Sequence, residues 1–413
     1  MIKKTLSRTT LAALFGALCT TLCLGAGNAF AASVSEAELR DLKTQIEDLQ
    51  QRNGALTRRL ASMEEALAGQ SARIQDQEKK IDEKVDGNVF GRIGKYVSVS
   101  GLLEGDLVFS GDYAGSDTSE ITLSAVEFGF DVALAEWANA HTLLKYEGED
   151  DDFFLDEGYL TLGKTEALPA FLTVGKMVTP FGDYSTNMLQ DPFTQTLGEI
   201  NEGSIVLGYA RNGVTASTFA YNGVDELGDN KEINGFGLGL RYDLEQEGGL
   251  NLNVGVGWVN NLASSGGIRD VLPRTEDDEP QLTDAVAGLN LHAGASYGAF
   301  SAQAEYTAAL DSFDAADLPF RDSGAQPAAL NGELAYSTAI QGIDTVFALG
   351  VQKTWESLGL ELPELRYSAA IAVTILEGAT VTLEYFLDED YDFSDGGTGD
   401  DGYGFTTRLA YEF

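Results

Sequence analysis

Cysteine, proline, histidine and positive charge are all scarce in this chain. Its 413 residues include 2 Cys, 8 Pro and 2 His. Both cysteines, Cys19 and Cys23, fall near the start, so the rest of the chain has no disulfide, no thiol nucleophile and no thiolate metal site. No serine or aspartate is placed to complete a triad with either histidine, so the sequence does not read as an enzyme. Lys and Arg total 26 against 65 Asp and Glu, a formal net charge of -39. That excludes nucleic acid as a partner, because the phosphate backbone would be repelled. Mean hydropathy is -0.10, which excludes a bundle of membrane helices. A membrane β-barrel escapes that exclusion, because only alternate residues of its strands face lipid.

Glycine, by contrast, is abundant at 47 residues, as suits many strands joined by tight turns. Lys3, Lys4 and Arg8, the apolar run Leu11–Leu24 and Ala29-Phe30-Ala31 have the layout of a secretory signal peptide over 1–31. Leu39, Ile46, Asn53, Leu60, Leu67, Ile74 and Ile81 recur every seventh residue. Leu42, Leu49, Leu56, Met63, Gln70, Gln77 and Lys84 repeat three positions later. These are the a and d positions of a heptad run, predicting a periplasmic coiled coil over 35–85 that joins copies of the chain. A helix packed on a globular core would carry a broader apolar face. Asn53 at an a position is a register-setting residue. The a and d mixture does not separate two strands from three.

From Lys95 the period changes to 2. Sixteen strands are expected: 95–109, 119–135, 140–147, 153–163, 170–177, 203–210, 213–221, 232–244, 250–259, 284–297, 299–310, 329–340, 343–355, 364–376, 379–390 and 402–413. In 364–376, Tyr367, Ala369, Ile371 and Val373 oppose Arg366, Ser368, Ala370 and Ala372, the alternation of a strand with one apolar face. The fourth and fifth strands alternate poorly. Every second connection is short, and the others are long. An outer-membrane barrel sorts its connections this way, with tight periplasmic turns and long extracellular loops. The predicted fold is therefore all-β: a 16-stranded antiparallel transmembrane β-barrel over 95–413, preceded by an N-terminal α-helical coiled coil.

The third long connection, 178–202, carries Phe181, Met188, Leu189, Phe193 and Leu197. A loop that met only water would not need them, so it is expected to fold into the barrel and narrow the pore; packing across the outer rim is the alternative. A charge facing lipid at mid-depth costs about 2–4 kcal/mol, so charged strand residues are expected to point inward. Candidate pore-lining residues are Glu104, Asp106, Lys145, Glu157, Lys176, Arg241, His292, Arg366, Glu384, Arg408 and Glu412, with Asp183, Asp191 and Glu199 in the loop. Arg366 and Arg408 are expected to form a basic wall facing carboxylates. Aromatic girdles are expected from Trp137 and Tyr411 at the periplasmic rim, and from Phe109, Trp258 and Trp355 at the outer rim.

The last stretch, GYGFTTRLAYEF, alternates aromatic or apolar with small or charged residues up to Phe413. It resembles the C-terminal strand of bacterial outer-membrane proteins. The run GKMVTPFGDY…MLQDPFTQTLGE over Gly175–Glu199, together with the coiled coil and the barrel, resembles the LbtU-family siderophore porins. Its Gly-Lys-x-x-x-Pro-Phe-Gly core is also similar to a motif of phosphate-selective porins. The resemblance implies an outer-membrane channel passing small solutes, ferric siderophores among them, without TonB and without a plug domain. It also implies a homotrimer in contact with membrane lipid and lipopolysaccharide. The acidic loops Glu147–Asp152, Glu276–Glu279 and Asp388–Asp401 offer oxygen ligands suited to Ca²⁺ or Mg²⁺, or are simply solvated charge. A tether from the outer membrane to the cell wall, with the pore secondary, is the alternative function.

Overall fold

The computed structural model describes residues 94 and 96–413, apart from 149–151, 226–232, 247–248 and 276–277. The expected signal peptide, and the coiled coil with its seam from Leu39 to Lys84, lie outside the described residues. Barrel strands β1 (Val97–Gly111), β2 (Asp117–Ala135), β3 (Ala138–Tyr146), β4 (Phe154–Gly163) and β5 (Ala170–Val178) come first. Next are β6 (Asn201–Arg211), β7 (Val214–Tyr221), β8 (Gly235–Leu244), β9 (Leu250–Val259), β10 (Gly288–Tyr297) and β11 (Phe300–Ala309). A two-stranded hairpin, β12 (Pro319–Phe320) with β13 (Ser323–Gly324), interrupts the series. The barrel resumes with β14 (Ala328–Ile340), β15 (Ile343–Trp355), β16 (Leu365–Leu376), β17 (Ala379–Glu389) and β18 (Asp401–Glu412). Short helices α1 (Phe193–Gly198) and α2 (Gly266–Val271) lie in the long connections.

The sixteen barrel strands form one closed antiparallel sheet. β1 closes it against β18, with Leu103 opposite Tyr411 and Asp106 opposite Arg408. Closure leaves no edge strand to recruit another chain. Each strand follows its expected span, the largest departure being β10, which begins at Gly288 rather than 284. Outward positions are apolar and exposed: Leu103, Leu107 and Phe109 on β1, and Tyr367, Ile371 and Ile375 on β16. The poor alternation of β4 has a local cause. The β3–β4 register shifts between Leu143 and Leu144, which pair with Glu157 and Leu155. Asp156 is the extra residue of this bulge, so Leu155 and Leu160 share the outer face despite their odd spacing.

Short turns join strands at one rim. At Asn212–Gly213 both residues have positive φ, 55° and 79°, the backbone that suits a two-residue hairpin and that Asn-Gly adopts readily. Long connections gather at the other rim, where they bury a core of their own. Leu262, Ile268, Leu282, Phe313, Leu318 and Tyr391 are all within it. Tyr391 also meets Thr354 Oγ1 at 2.6 Å and accepts from Ser357 N at 3.1 Å. The described parts of the connections 260–283, 311–328 and 391–401 are thus packed structure with helical and hairpin segments, where the sequence pattern suggested only loops.

Candidate functional site: the constriction of the lumen

The connection between β5 and β6 folds into the barrel. Its neck is pinned by Thr179 N donating to Ile200 O at 2.9 Å. From there the chain runs against β8 and β9 so closely that a β-carbon at Gly239 would collide with the Pro180 carbonyl, and one at Gly257 with the Phe181 carbonyl. Glycine on the inner face of both strands is what admits the loop backbone. Phe181, Leu197 and Ile200 are fully buried, and that burial supplies the apolar part of the docking.

Carboxylates of the barrel wall hold the rest of the loop. Glu305 on β11 accepts from Asp183 N at 2.9 Å, Tyr184 N at 3.1 Å and Thr194 Oγ1 at 3.0 Å. Glu333 on β14 accepts from Thr186 Oγ1 at 2.7 Å and Asn187 N at 3.1 Å, and also from the Asn187 side-chain amide. Glu384 on β17 accepts from Leu189 N, and Gln352 on β15 accepts from Phe193 N at 2.7 Å. None of these three glutamates makes an ion pair with a described residue. Backbone N–H groups take the place of a cation, a charge-assisted arrangement stronger than a neutral hydrogen bond. The loop thereby covers the inner wall of β10, β11 and β14–β17, and Asn290, Thr307, Glu333 and Glu384 are buried beneath it.

The inner wall of β1–β4 and β18 stays open. Arg408 on β18 bonds Asp106 at 2.9 and 2.8 Å and reaches Glu104 at 2.7 Å. Lys145 on β3 lies 2.6 Å from Glu147 and 3.6 Å from Glu127. Asp191, at the tip of the loop, is exposed and within electrostatic reach of Lys145 and Arg408. Glu199, just beyond α1, accepts from Gln195 Nε2 at 2.9 Å. Burial pushes the Glu199 carboxyl up to about 7, with the Asp191 and Asp156 charges adding to it.

The expected lumen residues separate into distinct surroundings. Glu104, Asp106, Lys145, Glu157 and Arg408 lie on the open wall. Arg241 faces inward and bonds Asp183 at 2.7 Å and Asp243 at 2.8 Å, bracing the loop neck. Three placements correct the sequence reading. Lys176 shares its phase with Val174 and pairs with Gly203 beside outward Ile205. It therefore points away from the lumen, and its ammonium donates to Leu155 O at 3.0 Å. Glu384 faces inward but is 1% exposed, so it anchors the loop and does not line the pore. No bare basic wall forms either. Arg366 is fixed to Asp388 by bonds of 2.7 and 2.8 Å and stacks between Phe193 and Phe386 at 4.7 and 4.2 Å, while Arg408 is neutralised by its two carboxylates. Glu305, Glu333 and Gln352 were missed. They sit on the polar phase of strands whose other phase is apolar, which was their one visible signal.

In the acidic outer loops, some of the described carboxylates are engaged within the fold. Asp390 accepts from Thr398 N at 2.7 Å and Thr398 Oγ1 at 2.6 Å, and Asp395 bonds Arg321. Among the described residues, no three His, Cys, Asp or Glu side chains converge as metal ligands would.

A closed sixteen-strand barrel, sorted connections and an inward-folded third loop together make a porin-like fold. Solved porins share this fold. OprB of Pseudomonas putida superposes with a TM-score of 0.54 at 11% identity, covering 79% of this chain and 97% of that one. An anion-selective porin from Comamonas acidovorans gives 0.52 at 12%, covering 77% and 99%. No family model matches the chain. By sequence it is similar to a UPF0422 protein of Coxiella burnetii, 28% identical over 303 residues, covering 71% of this chain and 64% of that protein. It is also similar to the UPF0422 protein lpg2959 of Legionella pneumophila, 26% identical over 333 residues, covering 75% and 62%. The matches thus span under two thirds of these relatives' length.

Proposed function

We propose that the protein is a passive diffusion porin of the outer membrane that prefers cations. One observation carries the preference. Four cations face inward on the described strands, Lys145, Arg241, Arg366 and Arg408, and each is held by carboxylate. Asp191 has no cation bound to it among the described residues and is exposed. A water-filled lumen lined with surplus negative charge concentrates cations and repels anions. The fold does not dictate this sign, since the Comamonas porin of the same architecture is anion-selective. Passage of ferric siderophores without TonB, as the LbtU resemblance implies, is the narrower form of this reading. Such a solute would have to present low or positive net charge to the open wall. Trimer formation through the heptad run completes the proposal. The test is the reversal potential of purified protein in a planar bilayer under a KCl gradient, followed by addition of ferric siderophore. A cation-directed potential supports the reading, and siderophore-dependent block supports its narrower form. An anion-directed potential, or no conductance, sinks it.

A further inference from the structure

Beneath the neck of the constriction loop, among β9, β10, β11 and β14, lies a small polar cavity of about 20 Å³ lined by His292, Asn253, Asp183 and Glu305. One water fits a space of this size, which needs roughly 10–15 Å³ on the same measure.

The hydrogen bonds around the cavity fix what it can hold. Asn290 Nδ2 donates both hydrogens, to Glu305 Oε1 at 2.8 Å and to Thr307 Oγ1 at 2.9 Å. The Asn290 amide is thereby oriented, and its Oδ1 is an acceptor. His292 Nδ1 lies 3.1 Å from that oxygen, so Nδ1 carries the hydrogen. In the neutral ring, Nε2 is then a bare acceptor. On the neighbouring strand, Asn253 Nδ2 donates to Asp183 Oδ2 at 3.3 Å. Turning the amide over would set its oxygen against that carboxylate, so Asn253 Oδ1 is also an acceptor. Both His292 Nε2 and Asn253 Oδ1 are buried without a partner. They are neighbours, because the imidazole lies over Gly255 and the amide over Gly294, and each ring or amide occupies the place a β-carbon would take. Two acceptors cannot satisfy each other, and burying such groups bare is unfavourable.

We propose that this cavity binds a single water molecule that donates one hydrogen to His292 Nε2 and the other to Asn253 Oδ1. The joint between loop and wall is then partly made of solvent. Arg241 and Asp183 brace it on one side, and the Glu305 carboxylate braces it on the other.

The test is a crystal structure of the full-length protein at a resolution that shows ordered solvent, from crystals grown in a rubidium salt. The expected result is one peak within hydrogen-bonding distance of both atoms and without anomalous signal. An anomalous peak there assigns the site to a monovalent cation and overturns the water. An empty cavity, or direct contact between His292 and Asn253, overturns the site. The variant His292→Gln, folded as judged by heat-modifiable gel migration, supplies its own amide donor to Asn253. It is expected to lose the peak while the loop keeps its place. A retained peak in that variant contradicts the assignment.

Discussion

The two inner walls of the barrel use the same carboxylate chemistry in opposite ways. On β11, β14 and β17, Glu305, Glu333 and Glu384 are buried and bound by N–H and O–H donors of the loop. On β1–β4 and β18, Glu104 and Glu127 stand half-buried against Arg408 and Lys145, and only Asp106 beside them is buried, paired with Arg408. Burial raises the value of each of these bonds, because low dielectric strengthens them. Once covered by the loop, that wall becomes structure. In the proposed channel, the open wall keeps its charge where solute would pass.

The sharpest way to break this division is to remove the anchors. In Glu305→Ala with Glu333→Ala, six loop donors lose their acceptor, and hydrogen bonds to charged groups are worth about 1.5–3 kcal/mol each. The loop is expected to leave the wall, with single-channel conductance rising severalfold and the barrel melting earlier in heat-modifiable gels. Unchanged conductance would mean that apolar burial alone holds the loop.

Asp191→Lys addresses the open wall. Reversing that exposed charge beside Lys145 and Arg408 should lower the cation-to-anion permeability ratio by roughly tenfold, read as reversal potential, without altering thermal stability. The change should shrink in molar salt, where screening acts within about 3 Å.

A smaller effect follows from Glu199. Its folded pKa, raised to about 7 from 4.5 by burial first and by Asp191 and Asp156 second, lies above the unfolded value. Its contribution to stability is therefore complete below pH 4.5 and is lost as pH rises through 7. In the channel, ionisation adds a negative charge over the same window, so cation preference should climb as pH passes 7. Glu199→Gln should flatten that climb and leave the channel open at every pH.

The barrel was legible because lipid demands a strict period of 2 on one face, and Leu, Ile, Tyr and Phe supply it in nearly every strand. β4 was blurred because a bulge at Asp156 changes phase without any mark in composition. The fold-back of 178–202 could be read from Phe181, Phe193 and Leu197, which water would not retain. Its anchors could not be, since each of Glu305, Glu333 and Glu384 binds at least one backbone N–H group, and every residue but proline has one. Lys176 misled by its charge alone. Its neighbours Thr173 and Met177 are buried while Val174 is exposed, and that parity sends Lys176 outward. The particular carboxylate that Arg366 faces was not legible, because Asp388 lies 22 residues on, directly across the β16–β17 pair.

Anchoring by main-chain amides has an evolutionary corollary. A wall glutamate that grips N–H groups places little demand on which side chain the loop carries at that point. Positions 189 and 190, whose N–H groups Glu384 holds, can therefore change without losing those bonds. Preference for a solute can drift at the loop tip while the frame that holds it stays put, and one scaffold can explore many cargoes through few substitutions.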